Sequence, residues 1–328
     1  MNVVSRPYDD INSGLYIDVG SILGHALVLK CEGLNFGGSI KMRAAASMMR
    51  AAVADAAFGA DSILIESSSG NMGVALSATA ASMGVRFVCV TDSRCNETAI
   101  AAMRAFGAHV VVLDEPDPVG GLLLARLNWI RDRLAGDSRY VWLDQYSNDA
   151  NWQAHYRGTA PEIHARFPDL DVLFVGVGTG GTAMGCARYF ADIGSDLRIV
   201  AVDPIGSVSF GHPSERRLIP GLGAGVVPPL LDTTLVHDVV RVSEIDTIRM
   251  CRTLAGAGFL FGGSTGTVVH GARSWLAEHD PARRCTALAI SPDFGDRYLS
   301  TIYNDAWVDE NYGPAALCPL TVHSPSVC

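Results

Sequence analysis

The feature that most constrains this chain is a regular alternation. Short apolar, β-prone runs at 27–30, 62–65, 86–90, 109–113, 140–143, 173–177, 197–202 and 286–290 are separated by Ala-rich, helix-length stretches at 42–57, 74–83, 98–106, 122–134, 151–167 and 182–191. Strand, helix, strand in sequence predicts an α/β protein with mainly parallel sheets, because parallel neighbours need a crossover and a helix supplies it. Runs such as LFVGV and RIVAV are apolar at every position rather than at every second one, which fits sheets covered by helices on both faces. A chain of 328 residues is long enough for two such units sharing an interface. No repeat of fixed period is visible.

Charge narrows the class of partner. The formal net charge is −9 and 18% of residues are charged, with no Lys/Arg run longer than Arg216-Arg217 or Arg283-Arg284. That balance excludes a nucleic-acid or anionic-membrane surface and favours small-molecule partners. No run of 18 apolar residues marks a membrane span and no leader pattern opens the chain, so a soluble, cytoplasmic protein is expected. The eight cysteines are scattered, without C-x-x-C pairs or zinc-type spacing. Reduced thiols and no metal site follow, with Cys318 and Cys328 in a Pro-rich tail. The 25 basic residues comprise 23 arginines and only Lys30 and Lys41, an imbalance that nucleotide bias toward arginine explains and that draws attention to each lysine.

In doubly covered sheets ligands sit at the carboxyl ends of strands, and four strand–helix junctions carry chemistry there. Asn35-Phe36-Gly37-Gly38-Ser39-Ile40-Lys41-Met42-Arg43 places a lysine at a helix start, where the helix dipole disfavours its protonated form. Glu66-Ser67-Ser68-Ser69-Gly70-Asn71-Met72-Gly73 offers hydroxyls, an amide and free N–H groups to a carboxylate. Gly176-Val177-Gly178-Thr179-Gly180-Gly181-Thr182 lets backbone N–H groups approach a phosphate closely. It also reads as a dinucleotide fingerprint through Gly176, Gly178, Gly181 and Asp203, which keeps a NAD-dependent dehydrogenase as an alternative. The fourth, Phe261-Gly262-Gly263-Ser264-Thr265-Gly266, precedes a helix, and the last strand is followed by Pro292-Asp293-Phe294-Gly295-Asp296-Arg297. Taken singly each is also an ordinary cap or turn; loops at one sheet edge can converge on one site.

In this order the loops resemble the fold-type II pyridoxal-phosphate enzymes, the cysteine synthase and cystathionine β-synthase group, over nearly the whole chain. Asn35 to Arg43 is similar to the family's Asn-Pro-x-Gly-Ser-x-Lys-Asp-Arg, with Phe36 for Pro and Met42 for Asp, and puts Lys41 at the Schiff-base position. The resemblance implies pyridoxal 5'-phosphate as cofactor, with Asn71 beside its 3-hydroxyl, Gly178, Thr179, Gly180, Gly181 and Thr182 at its phosphate and Ser264 at its ring nitrogen. Ser68, Ser69, Gly70 and Gln145 are implied for the substrate carboxylate, and Tyr146 offers a hydroxyl beside the pocket where cysteine synthases commonly carry Phe. A serine rather than an acid at the ring nitrogen makes the electron sink moderate, which suits β-elimination and replacement. The fold implied is a larger cofactor-binding domain, 1–45 with 149–328, and a smaller closing domain, 46–148, in a homodimer.

A finer resemblance is to the 2,3-diaminopropionate branch, the N-(2-amino-2-carboxyethyl)-L-glutamate synthases of siderophore and peptide-antibiotic pathways. It is carried by Asp114-Glu115-Pro116-Asp117 with Gly120-Gly121, by Asn151-Trp152-Gln153-Ala154-His155-Tyr156, by DPIGSVSFG from Asp203 and by PDFGDRY from Pro292. It implies O-phospho-L-serine and L-glutamate as substrates, with Tyr146, Thr179 and Arg157 as candidates for the phosphate leaving group and Arg216 or Arg217 for the glutamate carboxylates. A cysteine synthase using O-acetylserine or O-phosphoserine and sulfide is the alternative on the same fold.

Overall fold

The computed structural model describes residues 3–9, 11, 14–118 and 120–320, so Cys328 lies outside the described residues. Among the described residues ten strands occur in chain order: β1 Tyr16–Asp18, β2 Val28–Cys31, β3 Ile63–Ser67, β4 Arg86–Asp92, β5 His109–Leu113, β6 Tyr140–Trp142, β7 Val172–Gly176, β8 Arg198–Pro204, β9 Asp238–Val242 and β10 Ala287–Ser291. They form a six-stranded sheet ordered β1-β2-β10-β7-β8-β9 and a four-stranded sheet ordered β5-β4-β3-β6. Among these described strands β1 pairs with β2 antiparallel, and the other strand pairings are parallel.

The continuous apolar runs are explained by the two faces of each sheet. In β7, Val172 and Phe174 pack into a core with Val268 and Trp275 of the helix Gly263–His279, while Leu173 and Val175 face Met184 and Phe190 of the helix Gly181–Asp192. Alternate residues of one strand point to opposite faces, so a strand buried on both has no polar position to spare. In the smaller sheet Leu64 joins Met42, Met48 and Met49 of the helix Lys41–Ala54, and Ile65 packs with Ile130 of the helix Gly121–Gly136.

Three differences from the sequence expectation have physical causes. The edge strands β1 and β9 escape notice because each is half-buried and interrupted by charge, Asp18 in one and Asp238 and Arg241 in the other. The helix expected at 151–167 is three pieces, Asp149–Ala154, a π-turn His155–Thr159, and Ala160–Arg166. Pro161 has no N–H for the α-ladder, and the Ala160 N–H instead reaches the His155 carbonyl. The helix after Ser243, Glu244–Gly256, was also not anticipated; Ser243 caps it through the Asp246 N–H.

Lys30 is fully buried in β2, and its surroundings explain its survival. Its Nζ lies 2.8 Å from Glu162 Oε2 and 3.3 Å from Glu32 Oε1, and it sits 5.0 Å from the centre of the Tyr16 ring. Arg43 completes the cluster, with Nε 2.8 Å from Glu32 Oε2 and Nη2 2.7 Å from Glu162 Oε2. The two carboxylates raise the Lys30 pKa against the opposing effect of burial, so the lysine is held protonated.

Among the described residues, no cysteine is joined to another in a disulfide. No helix among the described residues is long and apolar enough to cross a membrane.

Candidate active site

Loops following β2, β3, β4, β6, β7 and β10 converge, with the start of the helix Gly263–His279, on a cavity of about 630 Å³ between the two sheets. The cavity wall includes thirteen residues expected from the sequence, Lys41, Ser68, Ser69, Gly70, Asn71, Gln145, Tyr146, Gly178, Thr179, Gly180, Gly181, Thr182 and Ser264.

Lys41 is the first residue of its helix, its N–H reaching Ser39 Oγ at 3.3 Å. The loop before it is held by Asn35, whose Nδ2 donates to the carbonyls of Glu32 and Ser39 at 2.8 and 2.9 Å and whose Oδ1 accepts the Gly37 N–H. Phe36 is largely exposed and Met42 is fully buried, and Lys41 between them opens its helix on the cavity wall. Desolvation lowers the Lys41 pKa, partly opposed by the nearby carboxylate of Asp293. Desolvation, the larger influence, favours the neutral amine that nucleophilic and proton-transfer work requires.

The serine-rich loop is partly self-satisfied. Ser68 Oγ accepts the Gly73 N–H at 2.8 Å and caps the helix Asn71–Met83, while Ser69 and Gly70 line the cavity. Asn71 is tied by Nδ2 to Asp293 Oδ2 at 2.8 Å, and its Oδ1 accepts from Arg297 Nη1. Tyr298 also donates to Asp293 Oδ2, at 2.6 Å, while Asp293 Oδ1 is buried with no hydrogen-bond partner among the described residues. Burial raises the Asp293 pKa.

Gln145 is placed by two contacts. Its Nε2 donates to the Ser67 carbonyl at 2.8 Å and its backbone N–H to Glu66 Oε2 at 3.2 Å. Glu66 is fully buried, and desolvation pushes its pKa up to about 8 despite the N–H groups of Ser67 and Gln145. A folded-state pKa above the unfolded one means the folded chain keeps a proton that the unfolded chain loses, so stability falls as pH rises between about 4.5 and about 8. Urea denaturation should show wild type losing on the order of 1.4 kcal/mol per pH unit within that window relative to Glu66→Gln, with no further divergence above it.

The glycine-rich loop leaves β7 and enters the helix Gly181–Asp192 through Gly180 at φ 87°. A methyl at Gly221 would collide with the Ser264 hydroxyl, and one at Gly178 would crowd the Gly221 carbonyl oxygen at 3.1 Å, so two glycine loops meet at the cavity floor. Backbone N–H groups at a helix start and the Thr179 and Thr182 hydroxyls suit a phosphate, and with Lys41 for an aldehyde and Ser264 for a ring nitrogen they fit pyridoxal phosphate.

Several cations were misplaced by sequence reasoning. Arg157 and Arg216 are exposed and lie outside the cavity wall, and Arg217 donates Nη1 to the Leu222 carbonyl at 2.9 Å, holding the Pro220 to Gly223 loop. Arg94, Arg126 and Arg297 line the cavity instead. Arg126 is 7% exposed; its Nε lies 3.3 Å from Asp92 Oδ2, and Nη1 has no hydrogen-bond partner among the described residues. Arg297 stood within the PDFGDRY motif, but nothing in the surrounding sequence marks Arg126 as different from other helical arginines. Asp203 is 1% exposed and off the cavity wall, so it cannot serve a ribose, and the dinucleotide reading fails.

Residues 17–290 match the family described as pyridoxal-phosphate dependent enzyme. The N-(2-amino-2-carboxyethyl)-L-glutamate synthase of Cupriavidus metallidurans is 38% identical over 285 residues, covering 85% of this chain and 83% of that one. The O-acetylserine dependent cystathionine beta-synthase of Helicobacter pylori superposes with TM-score 0.83 at 26% identity, over 93% of this chain and 100% of that one. For O-acetyl serine sulfhydrylase isoform 3 of Entamoeba histolytica the TM-score is 0.84 at 26% identity, over 92% of each chain. These likenesses and the cavity agree: the chain belongs to the pyridoxal-phosphate dependent enzymes, in the fold-type II cysteine synthase and cystathionine β-synthase group.

Proposed function

We propose that this enzyme performs β-replacement on O-phospho-L-serine with the α-amine of L-glutamate, giving N-(2-amino-2-carboxyethyl)-L-glutamate and phosphate for 2,3-diaminopropionate biosynthesis. The observation that carries the reading is the 38% identity, over most of both chains, to a protein with that synthase's name. Three arginines on the cavity wall support it, because a phosphorylated amino acid and a dicarboxylate are both strongly anionic.

Bound pyridoxal phosphate supplies the electron sink that acidifies an amino acid's α-carbon and lets a β-substituent leave. Gly178 to Thr182 would hold its phosphate, Ser264 would face its ring nitrogen, Asn71 its 3-hydroxyl and Lys41 its aldehyde. Lys41, with its pKa lowered, is free to take the substrate α-proton and to return one at product release. Ser69, Gly70 and the start of the helix Asn71–Met83 bind the substrate carboxylate, with Ser68 shaping that loop as its cap and Gln145 closing it. Arg126, with Tyr146, receives the phosphate leaving group. The segment 46–148 closes on the larger domain and excludes water, which would otherwise divert the substrate to hydrolysis. The assembly that the family implies is a homodimer.

Arg126→Lys keeps the charge beside Asp92 but loses the planar fork. Steady-state assays of phosphate release should give a KM for O-phospho-L-serine raised about tenfold to a hundredfold, with stability near wild type. The function itself is tested by phosphate release from O-phospho-L-serine with and without L-glutamate. Glutamate-dependent release supports the reading, whereas turnover confined to sulfide identifies a cysteine synthase.

A further inference from the structure

The two hydroxyls of the glycine-rich loop are both contacted from one helical segment. Asn151 and His155, four residues apart, face Thr179 and Thr182. At the crossing, a methyl on Gly185 would overlap the Trp152 carbonyl oxygen and the His155 side chain, so the helices approach too closely for any other residue there.

Asn151 Nδ2 lies 2.7 Å from the Gln145 carbonyl oxygen and 3.0 Å from Thr179 Oγ1. The carbonyl can only accept, which fixes the amide orientation and makes Thr179 Oγ1 an acceptor of the second N–H. Thr179 therefore retains its own hydrogen for another partner.

His155 is 1% exposed, with Nδ1 2.9 Å from Thr159 Oγ1 and Nε2 3.2 Å from Thr182 Oγ1. Burial, reinforced by the nearby charges of Arg43 and Lys41, lowers its pKa well below the usual range, so the ring is neutral with one N–H and one bare nitrogen. With the hydrogen on Nε2, the ring donates to Thr182 and accepts from Thr159, and Thr182 keeps its own hydrogen for an anion. With the hydrogen on Nδ1, Thr182 must turn its hydrogen toward the ring and away from the loop.

We propose that Asn151 and His155 are positioning residues that aim the hydroxyl hydrogens of Thr179 and Thr182 at the cofactor's phosphate, His155 acting as the Nε2–H tautomer set by Thr159. This rests on the assignment of the Gly178 to Thr182 loop to that phosphate and deepens it. The chain Thr159, His155, Thr182 runs donor to acceptor in one direction, so each hydrogen bond polarises the next.

Two measurements test it. Nitrogen-15 NMR of holoenzyme carrying labelled histidine, with His155 identified by its loss in His155→Gln, should give a protonated Nε2 and a bare Nδ1; the reverse pattern overturns the proposal. Apoenzyme is then titrated with pyridoxal phosphate and with phosphate-free pyridoxal. His155→Leu and Thr159→Val should each weaken pyridoxal phosphate binding about tenfold to a hundredfold and leave pyridoxal binding unchanged. His155→Gln, whose amide can donate in place of Nε2–H, should restore most of the affinity, and Thr159→Val carries this arm if His155→Leu does not fold. If Thr179→Val and Thr182→Val lose affinity for pyridoxal phosphate while His155→Leu and Thr159→Val retain it, the proposal falls and the loop assignment stands. If the threonine variants keep the preference for pyridoxal phosphate over pyridoxal, the loop assignment falls and takes the proposal with it.

Discussion

Lys41→Arg is expected to fold with a denaturation midpoint close to wild type and to lose more than about a thousandfold in turnover. The residue lines the cavity rather than filling a core, so lengthening its head group disturbs little packing. Chemically the change is severe. A guanidinium stays protonated at every accessible pH, so it neither joins covalently to an aldehyde nor accepts the substrate α-proton. Wild-type Lys41 escapes this because desolvation lowers its pKa. Mass spectrometry after chemical reduction of holoenzyme should find cofactor attached at position 41 in wild type and no attachment in the variant. Retained turnover in Lys41→Arg would remove the lysine from the chemistry.

Lys30→Met should produce the opposite phenotype, a loss of about 3–5 kcal/mol in stability with the catalytic groups untouched. One lysine and one arginine, Lys30 and Arg43, balance Glu32 and Glu162 inside a largely dry cluster. Removing one cation leaves a net buried negative charge, and that uncompensated charge is what destabilises. Lys30→Met combined with Glu162→Gln restores neutrality and should recover much of the loss in urea denaturation. Equal destabilisation in the single and double variants would mean that packing, not charge balance, sets the effect.

The two lysines also mark the boundary of what the sequence could convey. Lys41 was legible because its neighbours Asn35, Gly37, Gly38 and Ser39 form a local loop with a specific backbone requirement. The same holds for Ser68 to Gly73, for Gly176 to Thr182 and for Gly262 to Gly266, where small residues at strand ends report close approach. The role of Lys30 was not legible, because its partner Glu162 is 132 residues away and only the packing of β2 against the helix Ala160–Arg166 brings them together. Arg126 is hidden for a similar reason: its significance lies in an Nη1 without a hydrogen-bond partner among the described residues, beside a cavity, not in its helix. The arginines chosen from the sequence, Arg157 and Arg216, were near the right motifs in the chain but turn to solvent. Strand content followed the same division, with doubly buried strands apparent as unbroken apolar runs and half-buried edge strands concealed by their charges.

The central claim, that this cavity joins a serine-derived carbon to glutamate nitrogen, is tested most directly by mass spectrometry of the product formed from O-phospho-L-serine and L-glutamate labelled with nitrogen-15 at the α-amine. The account predicts N-(2-amino-2-carboxyethyl)-L-glutamate carrying the label, released together with phosphate. An enzyme competent with sulfide that forms no labelled glutamate adduct would contradict it.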